Sequence, residues 1–333
     1  MRKNFTKTLV LGLALMTTAA ASAYDFEVDG IYYAKDGGAV VVTYATSDYN
    51  TYSGDLVIPS TVTYGSTTYS VICAGYRACQ ASTGLTSVTF PVSPSFYFVG
   101  AYSFYGCTGL TSLYIPSNFT KIEANSFYGC TGLKSITFEE GITEIKSSAF
   151  YGCTSIDTLY FPTTLTTIAT NAFNGCTGLT KVTFQEYMSS IGSYAFYGCT
   201  SIADVYSYAT TPPVWSSTTN SFSATVYNTA TLHVPTDAID TYASTAPWSN
   251  FKTIVSTDES GITATLADTD ELKISAIDGE IAVAGATGEI SVYNLAGSLC
   301  GKAWSDGSAA SISVNAPGIY IVKAAGKATK VKL

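Results

Sequence analysis

In Leu110-Thr111-Ser112-Leu113-Tyr114-Ile115-Pro116, Leu113 and Ile115 are interleaved with Ser112 and Tyr114, which predicts a short half-buried strand ended by proline. In Asn125-Ser126-Phe127-Tyr128-Gly129 a capping-type side chain precedes room for one helical turn, and glycine closes it. The two patterns return together every 23 residues. The word Phe104 to Leu110 recurs letter for letter from Phe127 to Leu133, and with small changes at Phe150–Ile156, Phe173–Leu179 and Phe196–Ile202. Ile122, Ile145, Ile168 and Ile191 stand five positions before each Phe, with Val99 in that place in the first unit. Leu113, Ile136, Leu159, Val182 and Val205 stand six after each cysteine. No unit of this size can bury its own apolar residues. Stacking units about 4.8 Å apart closes the strands into parallel sheets and lines a core with columns of like residues. Phe104, Phe127, Phe150, Phe173 and Phe196 form one expected column, and Cys107, Cys130, Cys153, Cys176 and Cys199 another.

A period of about 20–29 residues is the mark of a leucine-rich-repeat solenoid. The shared pattern Ile-x-x-x-[Ala/Ser]-Phe-x-Gly-Cys-x-x-Leu-x-x-Leu-x-[Phe/Tyr/Ile]-Pro resembles the BspA-type leucine-rich repeats of Bacteroidetes surface proteins. The flanks resemble that family as well. Tyr52 to Pro59 is similar to its opening β segment and Val205 to Pro213 to the exit from its last full repeat. Ala230 to Pro235, with Tyr242, Trp248 and Phe251, resembles its degenerate final unit. One departure is Cys79, six positions before Leu85 where each ladder cysteine stands three before its Leu or Ile. Terminal repeats are expected to be irregular because they cap the stack. The expected fold is therefore mostly β: a leucine-rich-repeat solenoid of 23-residue rungs, short parallel strands plus short helical turns, followed by a small β-sandwich. Its expected divisions are an N-terminal β cap (24–75), the solenoid with its degenerate ends (76–255), a linker (256–270) and the C-terminal sandwich (271–333).

Both ends of the chain read as addresses. Arg2, Lys3 and Lys7 precede an apolar run from Leu9 to Met16, and Ala21-Ser22-Ala23 offers a cleavage site. Residues 1–23 thus read as a signal peptide for export. At the other end, short alternating segments separated by glycine turns predict the sandwich. Ile290 to Gly297 and Pro317 to Lys323 resemble the sorting domain of type IX secretion cargo, and Lys327, Lys330 and Lys332 complete a basic end. The resemblance implies a cell-surface or extracellular, outer-membrane-associated protein that engages a secretion machine. The Asn-Pro element often seen at the start of such domains is missing here.

Composition then removes whole classes of function. Charged residues make up 12% of the chain and net charge is −8, which becomes −11 when Arg2, Lys3 and Lys7 leave with the leader. An acidic chain without clustered Lys or Arg does not suit a phosphate backbone, so nucleic acid is not an expected partner. His233 is the single histidine, which excludes a multi-histidine metal site. It falls in the alternating segment Leu232 to Pro235 and is expected to face solvent. No nucleophile elbow, phosphate loop or zinc signature occurs, and Asp268-Thr269-Asp270-Glu271 lacks the rest of a calcium loop. No cofactor, metal or catalytic residue is expected, and no enzyme.

Eight cysteines in an exported chain raise the question of disulfides. In a registered stack the five ladder cysteines point the same way, and parallel Cβ vectors suit the bridge dihedral poorly. They are expected to be buried thiols packing as small apolar residues. Cys73, Cys79 and Cys300 lie outside the ladder, and Cys73–Cys79 is the one pair worth testing for a bridge.

The candidate binding residues are aromatic. Tyr114, Thr137, Tyr160, Thr183 and Tyr206 should form one outward column on the strands. Tyr105, Tyr128, Tyr151, Asn174 and Tyr197, each one after a Phe, should form a second. Tyrosine joins a rigid apolar face to a hydrogen-bonding tip, which suits protein or glycan surfaces. Equally, Tyr and Thr are good strand formers that stabilise cross-strand ladders. The resemblance implies adhesion to host matrix proteins or other cell-surface macromolecules. A glycan-binding accessory protein and a structural surface-layer component are the competing classes.

Overall fold

A computed structural model describes residues 24–215 and 220–257, and a set of strands between 273 and 332. The expected signal peptide, most of the expected linker and the acidic Asp268–Glu271 lie outside the described residues. Two compact units divide the chain, with the boundary at Ile254/Val255 and the short segment Val234–Ile239 grouped with the second.

The first unit is built on a solenoid of parallel strands. One side stacks Lys121–Ile122, Glu144–Ile145, Thr167–Ile168, Ser190–Ile191 and Val214–Trp215. The other side is built from Ser112–Ile115 paired with Ser135–Phe138, and from Thr158–Tyr160, Lys181–Phe184, Asp204–Ser207 and Thr231–Val234. Partners in the regular rungs are 23 residues apart, so like residues face like residues. The Ile, Leu/Val, Phe and Cys columns are all interior. Phe104, Phe127, Phe150, Phe173, Phe196 and Phe222 stack almost parallel at 5.1–5.4 Å between ring centroids, a continuous phenyl column.

The corner between the two sides takes a different form from one helical turn. It is a run of overlapping β-turns: Asn125 O accepts from Tyr128 N–H, and Phe127 O from Cys130 N–H. Asn125 itself is left-handed (φ 57°), as are Tyr102, Ser148, Asn171 and Tyr194 at the same place. Gly129 closes the run at φ 68°, the conformation that calls for glycine. The amides of Asn125, Phe127 and Gly129 donate to Ser147, Ala149 and Tyr151 of the next rung at 2.7–3.1 Å. Bonding along the stack therefore uses donors that a helix or its cap would need.

Further elements stand at both ends of the stack. At the start, strands Phe26–Val28, Ile31–Asp36, Ala39–Thr43, Thr61–Tyr64 and Thr67–Ala74 form a sheet that continues in parallel onto Phe98–Val99. At the far end, Ser223 caps the short helix Ala224–Thr229. There Trp248 donates from Nε1 to Pro213 O at 2.9 Å, and the Tyr242 hydroxyl donates to Ala209 O at 2.9 Å. Trp248 also fills the space beside Phe184 where the phenyl run Phe138, Phe161, Phe184 ends at the small Ser207.

The second unit holds two antiparallel sheets, Lys273–Ile277/Glu280–Ala284/Ala310–Ser313 and Leu299–Asp306/Thr287–Asn294/Ile319–Ala324/Lys327–Lys332. Ile281, Val283, Ile290, Val292, Ile312 and Val322, drawn from both sheets, share one core, as a small sandwich requires. No helix among the described residues is long and apolar enough to cross a membrane.

Candidate functional site

The cysteine column does more than fill space. All five ladder cysteines are fully buried and unbridged. Cys130, Cys153, Cys176 and Cys199 each donate an S–H to the carbonyl of the preceding rung's phenylalanine, Phe104, Phe127, Phe150 and Phe173, at 3.1–3.3 Å. Each of those carbonyls also accepts the amide of its own rung's cysteine. A protonated thiol is needed for this arrangement, and burial pushes the thiols of Cys107 and Cys153 well up.

Cys79 explains the departure at the first rung. Its amide pairs with Ser103 O just as that of Phe104 pairs with Ser126 O, and its carbonyl accepts Cys107 Sγ at 3.0 Å. Cys79 therefore occupies the phenylalanine place and Ser82 the cysteine place, so the rung has its regular length up to Leu85. The two extra residues of this unit fall between Leu85 and Phe104. Phe90 packs edge-on against Phe104 at 5.8 Å beside the small side chain. Cys73 and Cys79 are unbridged and buried, and Cys300 is exposed. Burial, with Asp36 adding, pushes the Cys73 thiol up to about 12.

The strand column does not stay open along its length. Tyr114 (49% exposed) and Tyr160 (47%) face solvent, as does Thr137. Thr183 and Tyr206, expected in the same outward column, are buried at 4% and 8%. The reason lies in the neighbouring column, two residues earlier on each strand. There Ser112, Ser135 and Thr158 give way to Lys181 and Asp204. Lys181 Nζ lies 4.2 Å from the centroid of the Tyr206 ring. On its other face Tyr206 stacks on His233 at 4.1 Å and 3°, and His233 Nε2 is 2.8 Å from Asp204 Oδ1. Thr183 lies in register between Tyr160 and Tyr206, shorter than both. His233 is correspondingly covered and does not face solvent freely: its side chain is 14% exposed. Burial, with Asp204 adding, raises the Tyr206 phenol.

The turn column is a true ladder at its start. Tyr105, Tyr128 and Tyr151 stack at 4.7 Å within 7° of parallel and are half-buried. Ring faces are spent on one another, leaving edges and hydroxyls outward. Asn174 interrupts the ladder and donates from Nδ2 to Asn171 Oδ1 at 2.9 Å. Tyr197 is 47% exposed and meets Tyr194 edge-on. Towards the cap the aromatic strip continues through Tyr102 to Tyr76, and Arg77 lies 5.0–5.5 Å from the rings of Tyr49, Tyr76 and Tyr102. Arg77 is the sole arginine after the leader. Sequence reading passed over it because Tyr49 lies outside the repeat. Among the described residues no three His, Cys, Asp or Glu side chains are placed to hold a metal ion.

Parallel rungs, inward Leu/Ile/Phe columns and short corners define a leucine-rich-repeat solenoid. More particularly, residues 97–226 match the BspA type leucine rich repeat region in six copies. Three solved structures are similar. A leucine-rich repeat protein from Bacteroides ovatus is 25% identical over 64% of this chain and 60% of its own, with a TM-score of 0.49. The T. pallidum leucine rich repeat protein is 24% identical over 55% of this chain and 71% of its own, at 0.37. A leucine rich cell surface protein from Faecalibacterium prausnitzii is 15% identical over 72% and 96%, at 0.34. The chain spans about three fifths of the length of the first of these. A search of curated proteins finds no match.

Proposed function

We propose that this chain is an exported, non-enzymatic recognition protein whose solenoid displays its outer columns to a macromolecular partner, a host matrix protein or another cell-surface protein, in adhesion. The observation that carries this reading is the pair Tyr114 and Tyr160. They stand two rungs apart on one strand face over the phenyl and thiol columns, and each is nearly half exposed. Rigid aromatic side chains bind at low entropic cost, and a repeated scaffold holds them at fixed spacing. Residues 1–23 would direct export and residues 271–333 would act as the sorting domain that takes the protein to the cell surface.

Incubating the mature chain with matrix-protein and glycan arrays tests the reading. Tyr114→Ala with Tyr160→Ala should weaken capture, while Tyr128→Ala, within the stacked ladder, should leave it in place. Capture unaffected by the double change would remove the strand face from the reading. A glycan is the second reading, favoured by exposed tyrosine rings with carboxylates nearby to accept from sugar hydroxyls, Glu139 at Tyr114 and Glu140 near Tyr160. It would show as capture by glycans alone, lost with either tyrosine singly. Deleting 271–333 in a host with type IX secretion should strand the protein in the periplasm, and normal surface delivery would defeat the sorting role.

A further inference from the structure

The solenoid begins on an open strand edge. Strand Gly54–Val57 pairs in parallel with Leu85–Thr89 on one side. Among the described residues no strand pairs with its other side. Gly54 N–H and Ile58 N–H donate towards the second rung, to Gly84 O at 2.8 Å and Thr89 O at 3.0 Å. Strand alternation then turns the N–H and C=O groups of Asp55 and Val57 outward, along the open edge. Val57 adds an apolar side chain that is 61% exposed. Natural edges are usually blunted or covered; this one is short and carries the exposed Asp55, yet no described strand covers it.

Beside the edge runs a groove of about 790 Å³. Its apolar lining comes from the buried Ile31, Tyr33, Leu56 and Val62, and its charged lining from the exposed Asp29 and Asp55. No lysine, arginine or histidine lines it. We propose that this edge is a β-augmentation site: an extended polypeptide segment of a partner adds as a strand beside Gly54–Val57. The segment pairs with the outward backbone of Asp55 and Val57, lays alternate apolar side chains into the groove, and sets a Lys or Arg against the aspartates. The row of alternating backbone donors and acceptors matches a peptide strand and not a glycan. The carboxylates without a basic neighbour in the lining fix the sign of the charge. This site is separate from the tyrosine columns and stands or falls independently of the strand-face reading.

Panning the full chain against a random peptide library displayed on phage tests the proposal. Enriched peptides should alternate apolar residues, carry Lys or Arg and lack internal proline. Measured by fluorescence polarisation, an enriched peptide should lose about tenfold in affinity on Val57→Pro, which removes an outward N–H and leaves the inward bonds of Gly54 and Ile58. Should that variant fail to fold, the unaltered chain serves: N-methylation of one alternate set of peptide amides should abolish binding and that of the other set should not. Asp29→Asn should narrow the preference for a lysine peptide over its glutamate counterpart. Enrichment without alternation or basic residues, no enrichment at all, or indifference to both N-methylation sets overturns the proposal.

Discussion

The strand face has two halves that share a backbone and differ in what they offer. In the rungs from Ser112 to Tyr160, small Ser and Thr side chains flank the outward column, and its tyrosines stay half exposed. In the rungs from Lys181 to His233, Lys181 and Asp204 flank it, and Tyr206 is closed between an ammonium and an imidazole. Both are built of parallel strands, though the open half lacks a ladder between Ser135–Phe138 and Thr158–Tyr160 and the closed half ends on a 27-residue step from Tyr206 to His233. A repeat thus fixes where a residue stands, and the adjacent column decides whether that place is a surface.

The largest expected effect tests whether the halves share one support. The phenyl column runs beneath both, so Phe150→Ala under the open half and Phe173→Ala under the closed half should each cost about 3–5 kcal/mol in denaturant unfolding through cavity formation. A large cost in one half alone would make the halves separate units. Solenoids can unfold in steps, so two-state behaviour must be checked first. The thiol column gives a companion test. A thiol reagent should miss all five ladder cysteines in the folded chain and label all five on unfolding without reductant. Labelling that rises only when reductant is added would show a bridge and break the S–H ladder.

Next in size is the contrast within the outward column itself. Tyr206→Ala removes a ring held on both faces and should cost about 1–2 kcal/mol. Tyr114→Ala should stay within about 0.5 kcal/mol. Equal costs would erase the difference between the halves. Partner capture should respond in the opposite sense, falling for Tyr114→Ala and holding for Tyr206→Ala.

These contrasts also mark how far the sequence could be read. The inward columns were legible because a strict 23-residue period forces like residues into register. The closure of Thr183 and Tyr206 was not, because it depends on the reach of Lys181 and on His233, which pairs 27 residues from Tyr206, outside the period. Cys79 misled because its letter matches the thiol column while its backbone takes the phenylalanine place. The Asn125–Gly129 corner carries helix-capping residue types, yet rung-to-rung bonding claims its amides and puts Asn125 at positive φ. Asparagine tolerates that conformation, which was the available clue. Open edges such as Gly54–Val57 leave no mark in composition, since they are defined by what does not pair.

The smallest expected effect concerns how the open half is tied together. Glu140 Oε1 accepts the amide of Thr163 at 3.1 Å, and Oε2 accepts the Thr163 hydroxyl at 2.9 Å and the Thr164 amide at 3.1 Å, all on the next rung. Burial alone would push this carboxyl up, but the bonds from Thr163 and Thr164 together outweigh it and hold the group below its ordinary value of 4.5. A carboxyl depressed on folding contributes stability that is fully present above its unfolded value and is lost as pH falls through the folded one. Glu140→Gln should therefore cost a few tenths of a kcal/mol at neutral pH, small because the group is exposed and screened. The gap between the two proteins should close as pH drops below about 4.5. Denaturant unfolding at pH 7 and pH 3 measures both values. A gap of equal size at the two would mean that the carboxylate's charge plays no part in joining these rungs, and that threonine packing alone holds the open half in register.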